Sequence, residues 1–162
     1  MGFLFDEHDA YRILQESEGR ADFNGKNVGH ARARHVAISK AALHDRMILG
    51  GTTKDGMPIY TAFTSVRDQA RAVAAAINAP ASAELMNRFF HPDRIRPGVP
   101  QQLCGVQVSA ATSVRVAVGG DGPPMRGSAY VTVYFSKFPS RHRNMHIVTA
   151  FAALTPGELA DV

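Results

Sequence analysis

Apolar positions recur with a helical period through the first half of the chain and with a strand period through its last third. From Asp6 to Gly19, residues Ala10, Ile13, Leu14 and Ser17 fall on one face, which predicts an amphipathic helix stopped by Gly19. Asp6, Glu7 and Asp9 lie in its first turn, where they suit the helix dipole. A polar loop, Arg20 to Gly29, follows. A second helix is predicted from Val66 to Asn78, with Ala70, Val73, Ala74 and Ile77 buried, Thr64 or Ser65 as cap and Pro80 as stop. Ser82 to Phe90 predicts a third, with Leu85, Phe89 and Phe90 inward. His91 to Pro100, punctuated by Pro92, Pro97 and Pro100, reads as loop.

Ile59 to Phe63 alternates as a short strand after a turn-rich connector, Thr52 to Pro58, in which Lys54-Asp55-Gly56 resembles a hairpin turn. Leu103 to Ser109, Ser113 to Val118, Ala129 to Phe135 and Met145 to Leu154 alternate or run apolar. Gly119 to Gly127 and Pro139 to Arg143 separate the later ones. Helices first and adjacent strands afterwards predict an α+β fold with an antiparallel sheet. No repeat, low-complexity tract or linker interrupts residues 1–162, which are expected to form a single domain. On the last strand, strict alternation puts Met145, Ile147, Thr149 and Phe151 on one face and His146, Val148 and Ala150 on the other. His146 and Thr149 then serve one site only if a bulge intervenes.

Charge changes the picture. A net charge of +4 and a pI near 9.6 favour an anionic partner: nucleic acid, an acidic protein or a membrane surface. Cys104 is the single cysteine, which excludes an internal disulfide and a multi-cysteine zinc site. Between Leu103 and Val106 it is expected to be a core thiol. Tryptophan is absent and aromatics are 8%, which argues against a base-stacking platform. The N-terminus lacks the basic lead and apolar core of a secretion signal, and no segment has the length of a membrane span, so no membrane partner is expected.

Candidate chemistry concentrates in Gly29 to Arg46, reading GHARARHVAISKAALHDR and closed by Gly50 and Gly51. Two short helices are expected here, broken near Ala37 to Ser39, with Ser39 capping the second. In one continuous helix, His35 and Arg46 would lie about three turns apart on nearly the same face. An imidazole beside a guanidinium suits phosphodiester cleavage, since one moves a proton and the other holds the phosphate. The same residues also fit a solvated basic helix with one core histidine, Arg46 pairing with Asp45 or Glu84, and Lys40 is equally two-sided. Thr149 is a hydroxyl among apolar neighbours, either ordinary strand packing or a donor aimed at a phosphate. The turn Arg141-His142-Arg143 would be solvated or would grip a nucleic-acid backbone. No HExxH, two-metal carboxylate cluster, P-loop, GxGxxG or GxSxG is present, so no metal or cofactor is expected.

Taken together, RHVAISKAALHDR, then TAFTS before an alanine-rich helix, then a strand-rich end closing on HIVTAF, resembles the bacterial RNase A-like toxin domains. These stand at the C-termini of contact-dependent growth inhibition proteins and other polymorphic toxins. The family blocks read RHVGKS…L..R, close to ASTFTD, and close to TAYP. The resemblance spans about residues 29–154. It implies a kidney-shaped, two-lobed ribonuclease A fold without disulfides, catalytic roles for His35, Arg46 and Thr149, and substrate contacts from Lys40 and Phe151. Two positions depart from the family pattern. Phe151 stands where the family has tyrosine, and Ala37-Ile38-Ser39-Lys40 replaces its GKS.

The reaction implied is metal-independent RNA cleavage, possibly of tRNA. His35 takes the 2′-hydroxyl proton, a 2′,3′-cyclic phosphate forms, and Arg46 and Thr149 stabilise the nonbridging oxygens. His142, His146, Lys40 or water would protonate the leaving oxygen, while Arg141, His142 and His146 would also hold substrate. A cognate immunity protein is the implied partner, the free toxin being a monomer. Delivery from a producing bacterium into the target-cell cytoplasm is the implied setting. A barnase/EndoU-type nuclease toxin and a non-catalytic basic RNA-binding module are the alternatives.

Overall fold

The computed structural model describes residues 5–36, 61–63, 65–108, 115–118, 125–126 and 129–153, with the backbone alone for 34–35, 61–62, 115–118, 125–126, 129 and 153. The first helix, α1 (Glu7–Ser17), begins at a reciprocal cap. The Asp9 N–H donates to Asp6 Oδ1 at 2.9 Å, and the Asp6 N–H donates to Asp9 Oδ2 at 3.0 Å. Its apolar stripe, Ala10, Ile13 and Leu14, is fully buried. Gly19 takes a positive φ of 72° and starts the loop to Gly29, where the chain passes so close to Ser17 that a Cβ on Gly29 would collide with the Ser17 carbonyl.

Helix α2 (Ala31–His35) is short. It ends because Val36 is extended and forms a parallel bridge with Phe63 of β1 (Thr61–Phe63). Helix α2 therefore ends just ahead of the break expected between two helices at Ala37 to Ser39, so His35 and Arg46 do not share one continuous helix. Lys40, Arg46, the second short helix and the Thr52 to Pro58 turn lie outside the described residues. Helix α3 (Val66–Asn78) has the expected limits. Ser65 Oγ accepts the Asp68 N–H at 3.0 Å, and Ala70, Val73, Ala74 and Ile77 are buried. Pro80 opens a 3-10 turn that leads into α4 (Ala83–Phe90). There Met86 and Phe89 are the fully buried residues, while Leu85 and Phe90 are only partly covered.

Strands β2 (Gln101–Val108), β5 (Ala129–Lys137) and β6 (Met145–Ala153) form an antiparallel sheet in the order β2-β5-β6. A second antiparallel sheet joins β1, β3 (Arg115–Val118) and β4 (Met125–Arg126), the last inside a stretch expected to be turn only. The architecture is α+β. Val131, Val133, Phe135, Ile147, Ala150 and Ala152 make one face of the first sheet, packed beneath the helices. Phe89 meets Phe135 edge-on at 5.0 Å. Burying each large apolar side chain of this kind contributes about 1.5–3 kcal/mol. Cys104 is exposed rather than a core thiol. Gly105, at a φ of 58°, makes a bulge between Leu103 and Val106, and Thr132 Oγ1 accepts its N–H at 3.0 Å, which turns Cys104 outward.

Candidate active site

The last strand is where the site takes shape, and a bulge decides it. Tyr134 pairs with Thr149, but the next β5 residue, Phe135, pairs with Ile147, so Val148 is an extra residue on β6. Opposed residues of an antiparallel ladder share a face. His146 (opposite Ser136), Thr149 (opposite Tyr134) and Phe151 (opposite Thr132) therefore lie on one face. Strict alternation had set Thr149 and Phe151 with Ile147 instead. Nothing in the apolar run around Val148 marks the bulge. It arises from what the edge of β6 must satisfy: the Ile147 N–H donates to Ser17 Oγ at 3.0 Å, and the Val148 carbonyl accepts from the His30 N–H at 2.8 Å.

Thr149 is 8% exposed, and its Oγ1 has no hydrogen-bond partner among the described residues. An unpaired buried hydroxyl costs about 1–3 kcal/mol. Beside it, Phe151 and Tyr134 stack with ring centroids 6.3 Å apart and planes tilted by 30°. Tyr134 is 37% exposed, so this aromatic pair forms a rim on the face that carries Thr149, whose Oγ1 is itself buried.

Helix α2 is tied to the same strand. The Gln69 side chain, fully buried, donates from Nε2 to the Ala31 carbonyl at 2.9 Å and to the Ala150 carbonyl at 3.1 Å. One amide group thus holds the start of the His35-bearing helix against the residue after Thr149. Gln69 was not singled out in the sequence. The signal present was a polar residue in register with Val73 and Ile77 on the apolar stripe of α3.

The other expected contacts, Arg141, His142 and His146, all have partners within the fold. His146 is 0% exposed. Its Nε2–H donates to the Asn27 carbonyl at 2.9 Å, and its Nδ1 accepts from Arg141 Nη1 at 2.8 Å. Burial, with the Arg141 charge beside the ring, holds its pKa below the ordinary imidazole value and keeps it neutral. The Arg141 guanidinium lies 3.8 Å over the Phe138 ring and also reaches the Ala21 carbonyl. His142 donates from Nε2 to Asp9 Oδ1 at 2.7 Å and from its backbone N–H to Glu16 Oε2 at 3.1 Å. Arg143 reaches both Asp9 oxygens. Burial alone would raise the Asp9 carboxyl. The hydrogen bonds from Arg143, the Asp6 N–H and His142 outweigh it and hold the pKa at about 2. The basic turn is thus pinned to α1, although Ser140, Arg143 and Asn144 all take positive φ. Asp22 holds the neighbouring loop by accepting the Asn24 and Lys26 N–H groups and the Asn27 amide.

Two groups therefore separate on the same strand. Thr149, Phe151 and the tie to α2 form one, and Arg141, His142 and His146 form the other, engaged within the fold. Among the described residues no three His, Cys, Asp or Glu side chains converge in the manner of a metal site. No described helix is long and apolar enough to cross a membrane.

Comparison with protein families finds no match, and comparison with curated proteins finds none. Among solved structures, the chain is similar to one from the CdiA-CT/CdiI complex of Y. kristensenii, with a TM-score of 0.44 and 15% identity over 78% of this chain and 100% of that one.

Proposed function

We propose that this chain is a metal-independent ribonuclease of the bacterial toxin type, cleaving RNA by attack of the 2′-hydroxyl on the adjacent phosphorus. The observation that carries the reading is the bulge at Val148. It brings the unpartnered Thr149 hydroxyl to the aromatic rim, on the strand to which α2 is tied through Gln69. His35, the last residue of α2, takes the 2′-hydroxyl proton. Thr149 donates its hydrogen to a nonbridging oxygen as negative charge builds there, and Arg46 holds the same phosphate. Donors set in advance of the reaction lower its barrier because they need no reorganisation, each contributing roughly 10²–10³-fold. The P–O5′ bond then breaks and leaves a 2′,3′-cyclic phosphate. The basic pI suits attraction to RNA, with Lys40 and the Phe151 ring as further substrate contacts.

A cytoplasmic nuclease of this type also needs restraint in the cell that makes it, so a cognate immunity protein is the expected partner. Delivery into a competing cell is the expected setting. The test is incubation with total RNA in EDTA, comparing wild type with Thr149→Val and reading the 3′ ends. Cyclic-phosphate ends from wild type, sharply reduced in the variant, support the reading. Intact RNA in the presence of folded wild-type protein turns it to a non-catalytic RNA-binding module.

A further inference from the structure

The ribonuclease reading leaves one proton unassigned. When the P–O5′ bond breaks, the departing oxygen must be protonated, and Phe151 has no exchangeable hydrogen to give. The two histidines at the N-terminal end of β6 are engaged elsewhere: His146 is buried with both ring nitrogens in hydrogen bonds, and His142 Nε2–H is on Asp9. On the Thr149 face itself, Thr132 and Ser136 are 7% and 2% exposed, and their aliphatic hydroxyls are far weaker acids than a phenol. Tyr134 is different. It is the partner of Thr149 in the ladder, its ring direction is set by the stacked Phe151, and it is open to solvent.

The geometry points to Tyr134 as a catalytic residue, the phenol that protonates the leaving 5′-oxygen, a role that rests on the ribonuclease reading. Tyr134 and Thr149 are opposed in the ladder, where Cβ atoms stand about 4.5–5.5 Å apart, so the phenol and a phosphate held on the Thr149 hydroxyl share one face of the sheet. The step consumes no water. The 2′-O–H proton goes to His35, the O2′–P bond forms, and the P–O5′ bond breaks. The phenol hydrogen moves to O5′, and the imidazolium proton returns through solvent to the tyrosinate. Phe151 contributes the surface that holds the donor ring upright.

The test uses the full chain and two substrates that differ only in the leaving group. A ribodinucleotide expels an alkoxide that needs a proton. A uridine 3′-(para-nitrophenyl phosphate) expels a nitrophenolate that does not. Tyr134→Phe keeps the ring and its stacking and removes only the hydroxyl. We expect dinucleotide cleavage to fall about a hundredfold or more, with the nitrophenyl ester cleaved within about twofold of wild type. Equal losses on both substrates would make Tyr134 a binding or positioning residue and overturn the proposal. Unchanged rates on both would overturn it too. Wild-type protein inactive on both would end the ribonuclease reading itself, a different result from any pattern confined to the variant.

Discussion

The Nε2 of Gln69 lies 3.1 Å from the carbonyl oxygen of Ala150, the residue that follows Thr149 on the last strand. The same nitrogen reaches the Ala31 carbonyl at 2.9 Å. A helix in the middle of the chain thereby fixes the distance between an early helix and a late strand. Gln69→Leu keeps the volume and removes both donors, leaving two buried carbonyls short of partners. Stability should fall by about 1 kcal/mol, because the change also removes the buried Gln69 Oε1, which has no partner among the described residues and offsets part of the loss. Cleavage per folded molecule should fall as well, because the His30 N–H bond to the Val148 carbonyl is then the remaining backbone tie described between the start of α2 and β6. Urea unfolding midpoints and RNA cleavage of the same preparation check both. An unchanged midpoint would contradict the role given to this amide.

Thr149→Val should move stability and activity in opposite directions. Valine nearly matches threonine in shape and removes an unpartnered buried hydroxyl, so stability should hold or rise by up to about 1 kcal/mol. Loss of the donor should lower RNA cleavage about a hundredfold. A variant both less stable and fully active would mean that the hydroxyl serves the fold and not the phosphate.

Acid should destabilise the protein in two windows, and the sign is the same in both. His146 has a folded pKa held below 6.5. Below that pH the unfolded chain takes up a proton that the folded ring resists, so stability declines as pH falls past it. Asp9 has a folded pKa of about 2 against an ordinary 3.8, so its ion pairs stabilise above that value and are lost between 3.8 and about 2. The second window should cost about 2 kcal/mol. Unfolding measured against pH should show both declines, and Asp9→Asn should shrink the lower one, to which Glu16 and Asp22, also held below their ordinary values by hydrogen bonds, contribute, while leaving the upper in place.

What was legible in the sequence was whatever depends on neighbours in the chain. The limits of α3 follow from Ser65, the alanine-rich stripe and Pro80, all within a few residues of one another. The strand at Met145–Ala153 is equally local. The face on which Thr149 sits was not legible, because one extra residue reverses the alternation and Val148 is an unremarkable strand residue. Cys104 misled for the same reason: the bulge at Gly105 reversed its direction inside an apolar run. Asp9 reads as a first-turn acid, yet its partners His142 and Arg143 come 133 and 134 residues later, beyond any local signal. His142 and Arg141, expected as substrate contacts, are also engaged by Asp9, Glu16 and the Phe138 ring, partners of which a basic turn on its own carries no sign.

The central claim is that His35 drives RNA cleavage on this scaffold, and one comparison tests it most directly. Purified wild type and His35→Ala, both shown to be folded, are incubated with total RNA in EDTA and the new 3′ ends are identified. The account predicts 2′,3′-cyclic phosphate ends from wild type and a loss of about a hundredfold or more in the variant. Equal cleavage by both proteins, or none by either, would contradict it.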